Sequence, residues 1–259
     1  MILDEIVFNK RQEVILLKIK LDIKKAKKAI SNLPRPRSFK KALKVKGVSI
    51  IAEVKRASPS AGVIKKSFKP VEIAQNYEKN GAAAISVLTD EKYFKGKLDY
   101  LKKIRSKVRI PILRKDFIID ESQIYESRLA RADAILLIVR ILTDEELKRF
   151  LALSKKLKMD ALVEVHNGKE AERALAAGAD IIGINNRDLD TLEVNINNTL
   201  ELIDKFWELS SKIIVSESGI SSPEQVRTLK QKGVAAILVG ESLLKSKKPS
   251  DKLRELLNA

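Results

Sequence analysis

The chain has 259 residues, 44% of them apolar, with 51 Lys plus Arg against 34 Asp plus Glu, one His and no Cys. That much apolar sequence supports one well-buried domain and excludes a disordered chain, and the missing cysteines exclude a disulfide scaffold. A zinc-type metal centre is excluded too, because such a site draws on about three ligands rich in His or Cys, and His166 stands alone.

Residues 1–47 hold 14 basic and 4 acidic side chains, which is +10 of the formal net charge of +17 and leaves +7 for the rest. They predict a helical extension: a helix from about Leu3 to Lys20, another from Asp22 to Ile30, a turn at Pro34-Arg35-Pro36, and a short helix after Ser38. The stripe Ile2, Ile6, Val14 and Leu17 reads as the docking face of the first helix. The Lys excess reads either as a solvated face of the kind thermophilic proteins enrich or as a positive rim that attracts an anionic substrate. Nucleic-acid binding is less supported, since the 5% of aromatic residues do not cluster into stacking platforms. Asp4 and Glu5 near Met1 argue against a secretion signal, and no apolar stretch reaches the roughly 18 residues of a membrane span, so a cytoplasmic protein is expected.

Eight apolar, β-branched-rich runs follow: Val48–Glu53, Ala83–Leu88, Ile110–Leu113, Ala134–Val139, Ala161–Val165, Ile181–Ile184, Ile213–Val215 and Ala235–Val239. They predict buried parallel strands, with helical segments between them opened by signals such as Thr143-Asp144-Glu145-Glu146 and Ser221-Ser222-Pro223-Glu224. An internal repeat supports the count. Asn80-Gly81-Ala82, Ala177-Gly178-Ala179 and Lys232-Gly233-Val234 each end a helix before a strand, with Gly suited to the left-handed terminating position. A fourth copy, Ala130-Arg131-Ala132, carries Arg where Gly is expected. The predicted fold is a single α/β domain spanning residues 1–259. It is a (β/α)8 TIM barrel with the basic helical extension 1–47 over its mouth; a doubly wound open sheet fits the length and the eight units less well.

Active sites in such barrels are built at the C-terminal ends of the strands. Standing there are Glu53 and Lys55, Thr89, Lys115, Arg140, Glu164, Asn185, Glu217 and Ser218, and Gly240. Lys115 leaves a buried run, so it is either a desolvated lysine able to give up a proton near neutrality or one paired with Asp116 or facing solvent. Glu53 and Lys55 share one side of their strand, and if buried they need each other as partners. Ser218-Gly219 and Gly240 suggest backbone donors for a phosphate. His166 reads as a loop hydrogen-bonding residue and Trp207 as helix packing.

With that ring assembled, the sequence resembles the indole-3-glycerol-phosphate synthases. The resemblance rests on Ile51-Ala52-Glu53-Val54-Lys55-Arg56-Ala57-Ser58-Pro59-Ser60, Leu88-Thr89-Asp90-Glu91-Lys92-Tyr93-Phe94, Lys115-Asp116-Phe117, Glu164-Val165-His166, Gly183-Ile184-Asn185-Asn186-Arg187-Asp188-Leu189, Ser216-Glu217-Ser218-Gly219-Ile220 and Val239-Gly240-Glu241-Ser242-Leu243, in order along the barrel. It implies closure of the pyrrole ring of 1-(2-carboxyphenylamino)-1-deoxyribulose 5-phosphate, with loss of CO2 and water and without metal or organic cofactor.

The same resemblance implies roles. Lys115 would be the general acid at the substrate carbonyl and Glu164 the second acid/base group. Glu53 and Asn185 would hold hydroxyl or amine groups, Glu217 would position and tune, and Lys55 would meet negative charge. Ser58, Arg187, Ser218, Gly219, Gly240 and the backbone N–H of Glu241 would bind substrate, mostly at its phosphate. Phe94, Phe117, Leu136 and Leu189 would wall the aromatic ring. The expected partner is a small molecule bearing carboxylate and phosphate, with no nucleic acid and no membrane, bound by a monomer. A phosphoribosylanthranilate isomerase, a Schiff-base aldolase using Lys115 as nucleophile and a nucleic-acid-binding barrel remain as other readings.

Overall fold

In the computed structural model, which describes residues 2–45, 47–64, 67–188 and 191–259, the eight runs become one closed parallel barrel. In chain order the strands are β1 (Ser49–Val54), β2 (Ala84–Leu88), β3 (Ile112–Lys115), β4 (Ala134–Ile138), β5 (Asp160–Val165), β6 (Ile181–Asn185), β7 (Ile213–Glu217) and β8 (Ala236–Val239). Each pairs with the next and β8 closes on β1, so every edge is satisfied. The third strand starts at Ile112, not Ile110, and runs two residues past the predicted end, which makes Lys115 its last residue.

The helices are α1 (Ile2–Lys20), α2 (Ile23–Ser31), α3 (Phe39–Ala42), α4 (Pro70–Lys79), α5 (Leu98–Arg105), α6 (Glu121–Leu129), α7 (Asp144–Lys156), α8 (Gly168–Ala176), α9 (Asn197–Lys205), α10 (Pro223–Gln231), α11 (Glu241–Lys245) and α12 (Pro249–Leu257). Their starts follow local chemistry. Asp22 and Ser38 cap α2 and α3, and Thr143 with Glu146 and Ser222 with Gln225 form reciprocal capping boxes on α7 and α10. At the repeated helix ends Gly81, Gly178 and Gly233 have φ of +97°, +80° and +80°, and Arg131 holds the same left-handed conformation at +67°. Lys158 does so at +62°.

The extension spans both ends of the barrel instead of lying wholly over its mouth. α3 inserts Phe39 and Leu43 beneath the barrel, packing on Ile51, Leu113, Leu162 and Val215 inside it. α1 lies at the other end, held by Leu3, Ile6, Val14 and the fully buried Lys10. Ile6 and Val14 of the predicted stripe are buried, whereas Ile2 and Leu17 are partly so. Trp207 is 78% exposed in a short 3-10 turn and packs no helix, a correction to the sequence reading. Among the described residues no helix is long and apolar enough to cross a membrane.

Candidate active site

The two-residue period of a strand builds the site. Ile51, Leu113, Leu162 and Val215 point inward as an apolar layer, so Glu53, Lys115, Glu164 and Glu217, each two residues further on, point inward one layer higher. Asn185 ends β6 in the same ring, whereas Leu136 and Ile138 on β4 keep that side apolar. Above the ring opens a cavity of about 640 Å3, well within the range of small-ligand sites.

Lys115 Nζ lies 2.7 Å from Glu164 Oε2 and 3.0 Å from Glu217 Oε2, and 15% of its side chain faces the cavity. Neither sequence alternative holds, since its partners come from strands two and four positions further along the barrel. Asp116 turns away to Lys10 and Arg114, at 2.9 and 3.0 Å. Burial pulls the Lys115 ammonium down, but Glu164, Glu217 and Glu53 outweigh it and hold the group above the ordinary lysine range. A lysine that gives up its proton freely near neutrality is therefore not what this arrangement makes.

The carboxylates divide. Burial raises Glu217, and repulsion from Glu164 and Glu53 raises it further against the pull of Lys115, to about 7. Burial would also raise Glu164, but Lys115, His166 and the Asn185 amide, which donates to Oε1 at 3.2 Å, bring it down to about 2. One buried lysine keeps one carboxylate ionised and leaves its neighbour partly protonated near pH 7. Glu53 is paired with Lys55 at 2.7 Å, as expected of a buried acid and base two residues apart.

Two glycines make room. A Cβ on Gly183 would lie 2.1 Å from Glu217 Oε1, and one on Gly240 would lie 2.6 Å from Glu53 Oε1. Gly183 was missed in the sequence, although a glycine inside an apolar strand signals close approach. His166, half-buried in the turn after β5, hydrogen-bonds Glu170 through Nδ1 at 3.2 Å, as its reading as a loop hydrogen-bonding residue expects, and its Nε2 lies 3.7 Å from Glu164, a contact the sequence did not show.

Around the cavity stand Ser58, Phe94, Phe117, Leu136, Arg187, Ser218, Gly219, Gly240 and Glu241. Phe94 and Phe117 form a tilted pair 6.0 Å apart. Asn185 Oδ1 accepts from the Arg187 N–H at 3.0 Å and the Ser218 hydroxyl at 2.8 Å, tying the two loops together. Arg187 reaches Glu241 at 3.5 Å and the Leu192 carbonyl at 2.8 Å. Leu189 lies outside the described residues. Ile2, Leu3 and Ile6 of α1 complete the cavity wall; the docking stripe named Ile2 and Ile6, but not that they face a ligand site.

The sequence model of one family, indole-3-glycerol phosphate synthase, matches residues 3–256. Curated proteins of that name are similar over most or all of the chain. The one from Acetivibrio thermocellus is 50% identical over 98% of both chains. That from Desulforamulus reducens is 46% identical over all of this chain and 98% of its own, and that from Aquifex aeolicus 54% over 85% of each. Among solved structures, KGPDC from Streptococcus mutans superposes with a TM-score of 0.61 at 14% identity, covering 82% of this chain and 96% of that one. A thiamine phosphate pyrophosphorylase from Pyrococcus furiosus gives 0.60 at 16%, covering 81% and 93%. These two likenesses concern the barrel fold alone.

Proposed function

Because the chain belongs to the indole-3-glycerol phosphate synthase family, we propose that the ring of charges at the barrel mouth closes the indole ring by general acid-base catalysis, with Lys115 as the acid. The enzyme is a carboxy-lyase of tryptophan biosynthesis. Its substrate, 1-(2-carboxyphenylamino)-1-deoxyribulose 5-phosphate, becomes indole-3-glycerol phosphate, CO2 and water.

The observation that carries this assignment is the Lys115 ammonium, held charged between Glu164 and Glu217 while part of it faces the cavity. A charged donor is what carbonyl protonation requires. As the ring carbon bearing the carboxylate attacks the ketone carbon, Lys115 transfers a proton to the carbonyl oxygen. Loss of CO2 then restores the aromatic ring. In the dehydration that follows, a proton must reach the departing hydroxyl and another must leave the new ring. Glu164, ionised and in contact with Lys115, takes the second role. Glu217, only partly ionised near pH 7, positions the substrate without adding full repulsion.

Phe94, Phe117 and Leu136 form an apolar wall that favours release of CO2 from a water-poor site. Leu189, outside the described residues, is kept in that wall by the resemblance alone. Glu53 and Asn185 hold hydroxyl or amine groups, and Lys55 meets the substrate carboxylate. Arg187, Ser58, Ser218, and the backbone N–H groups of Gly219, Gly240 and Glu241 anchor the phosphate. Arg187 leaves Glu241 to do so. Anchoring both ends presses the ring carbon against the carbonyl, and orientation of this kind supplies much of the rate.

The test is a continuous fluorescence assay of indole formation with Lys115→Ala and Glu164→Gln beside the parent chain. Loss of most turnover in both with the fold retained is expected. Near-parental turnover in both would remove Lys115 and Glu164 from these roles.

A further inference from the structure

At the opposite end of the barrel from the cavity, where the strands begin, lies a second hollow of about 90 Å3 formed by Pro34, Pro36, five arginines and one carboxylate. The arginines come from three places: Arg35 and Arg37 from the turn between α2 and α3, Arg105 from the end of α5, and Arg128 and Arg131 from the end of α6.

The single acid is already committed. Asp133 accepts the Arg37 backbone N–H at 2.7 Å and the Ile112 N–H at 2.8 Å, and it pairs with the Arg105 guanidinium. Arg37 and Arg105 both donate to the carbonyls of Val108 and Ile110, so two like charges are drawn onto the same acceptors. The side chains of Arg35 and Arg131 make no hydrogen bond or ion pair among the described residues. The Nε atoms of Arg105 and Arg128 are buried without an acceptor.

Burial, with the Arg131 charge adding to it and Asp133 opposing, holds Arg37 and Arg128 below the ordinary arginine range. They remain cations at neutral pH. Four positive charges in excess, converging from three segments, repel one another unless something else neutralises them. Arg131 adds its charge from a left-handed backbone position that three equivalent helix ends give to glycine.

We propose that this hollow binds a small multivalent oxyanion, such as inorganic phosphate, which bridges the turn at residues 34–37 to the barrel floor. Guanidinium forks match the oxygens of such an ion two at a time, and the hollow is sized for one compact group rather than a nucleotide. The site is separate from the substrate phosphate site, which lies past the C-terminal ends of the strands. An ion bound there and not by the unfolded chain raises stability by mass action.

The experiment is thermal unfolding titrated with inorganic phosphate against chloride at constant ionic strength, on the parent chain, on Arg35→Gln/Arg131→Gly and on Arg187→Gln. Glutamine at an exposed turn and glycine at a left-handed position leave the fold in place. The parent and Arg187→Gln are expected to show a saturable rise in Tm of roughly 5 °C near a hundredfold excess over Kd. Arg35→Gln/Arg131→Gly is expected to lose most of that rise. General salting effects of phosphate act on all three proteins alike, so the difference between them is the readout. Acetate is expected to give no comparable rise. A full rise in Arg35→Gln/Arg131→Gly, abolition of the rise by Arg187→Gln alone, an equal response to acetate, or no rise in the parent would each overturn the proposal.

Discussion

Lys10 and Lys115 occupy almost the same electrostatic setting and lead to different ends. Lys10 lies 3.0 Å from Asp90 and 2.9 Å from Asp116; Lys115 lies 2.7 Å from Glu164 and 3.0 Å from Glu217. Burial pulls both ammonium groups down, and the paired carboxylates lift both above the ordinary range. The difference is access. Lys10 is 2% exposed, with Glu13 at 2.7 Å as a third carboxylate and Arg114 bringing a second cation to Asp116, so the lysine is closed off and ties α1 to the loops after β2 and β3. Lys115 also has a third carboxylate near it, Glu53, but it faces a cavity. A lysine shut away from the cavity fastens structure, whereas one that opens onto it can exchange a proton with what the cavity holds.

The sharpest break of that comparison comes from removing each lysine in turn. Lys115→Ala is expected to lower kcat by about 10^3-fold, at the scale of general acid catalysis, in the fluorescence assay. Lys10→Met leaves Asp90 and Asp116 buried without their lysine and is expected to cost about 3–5 kcal/mol in denaturant unfolding, with kcat changed far less. If Lys10→Met silenced turnover at unchanged stability, the division between fastening and chemistry would be wrong.

The two clusters also predict opposite pH responses. Glu217 titrates at about 7 in the folded chain against an ordinary 4.5, so the folded state holds a proton that the unfolded state has lost. Stability from this group is present below pH 4.5 and falls as pH rises towards 7, by up to about 3 kcal/mol. Asp116 is shifted the other way: burial would raise it, but Lys10 and Arg114 hold it below its ordinary 3.8. Its contribution is present above pH 3.8 and is lost as pH falls further. Unfolding curves of Glu217→Gln and Asp116→Asn across pH should flatten the neutral and the acid limb respectively. A neutral limb unchanged in Glu217→Gln would count against the protonated carboxyl.

A smaller effect tests the space around the open cluster. Gly183→Ala places a methyl 2.1 Å from where Glu217 Oε1 now lies, so the carboxyl must leave its present position beside Lys115 Nζ. Turnover is expected to fall about tenfold, the equivalent of roughly 1.4 kcal/mol. Unchanged kinetics would mean that Glu217 is not held where it matters.

Most of the barrel was legible because its signals are local. Eight apolar runs, helix caps such as Thr143 with Glu146, and glycines at the repeated helix ends each depend on residues close in sequence. The members of the mouth ring were legible for the same reason, since Glu53, Lys115, Glu164 and Glu217 stand at the ends of runs whose other residues face the core. Their partners were not. The sequence offered Asp116 as the neighbour of Lys115, one residue away, but adjacent strand residues face opposite sides, and Asp116 pairs with Lys10 instead. Trp207 was misread for a related reason, because burial is set by which elements pack over a residue, and its local pattern does not report that.

The order of strands and helices, the caps, the left-handed turns and the residue types at the strand ends were determined by the sequence itself, through dihedral preference and hydrophobic period. Tertiary structure alone decided that Lys115 meets Glu164 and Glu217, that Gly183 clears a space for a carboxyl, that α1 shuts the cavity while α3 plugs the floor, and that five arginines converge on one aspartate. Most of those contacts join residues far apart in the chain, 28 residues for Arg105 with Asp133 and 102 for Lys115 with Glu217. Charges interact through space and not along the chain, so their partners and proton affinities exist only once the barrel has closed.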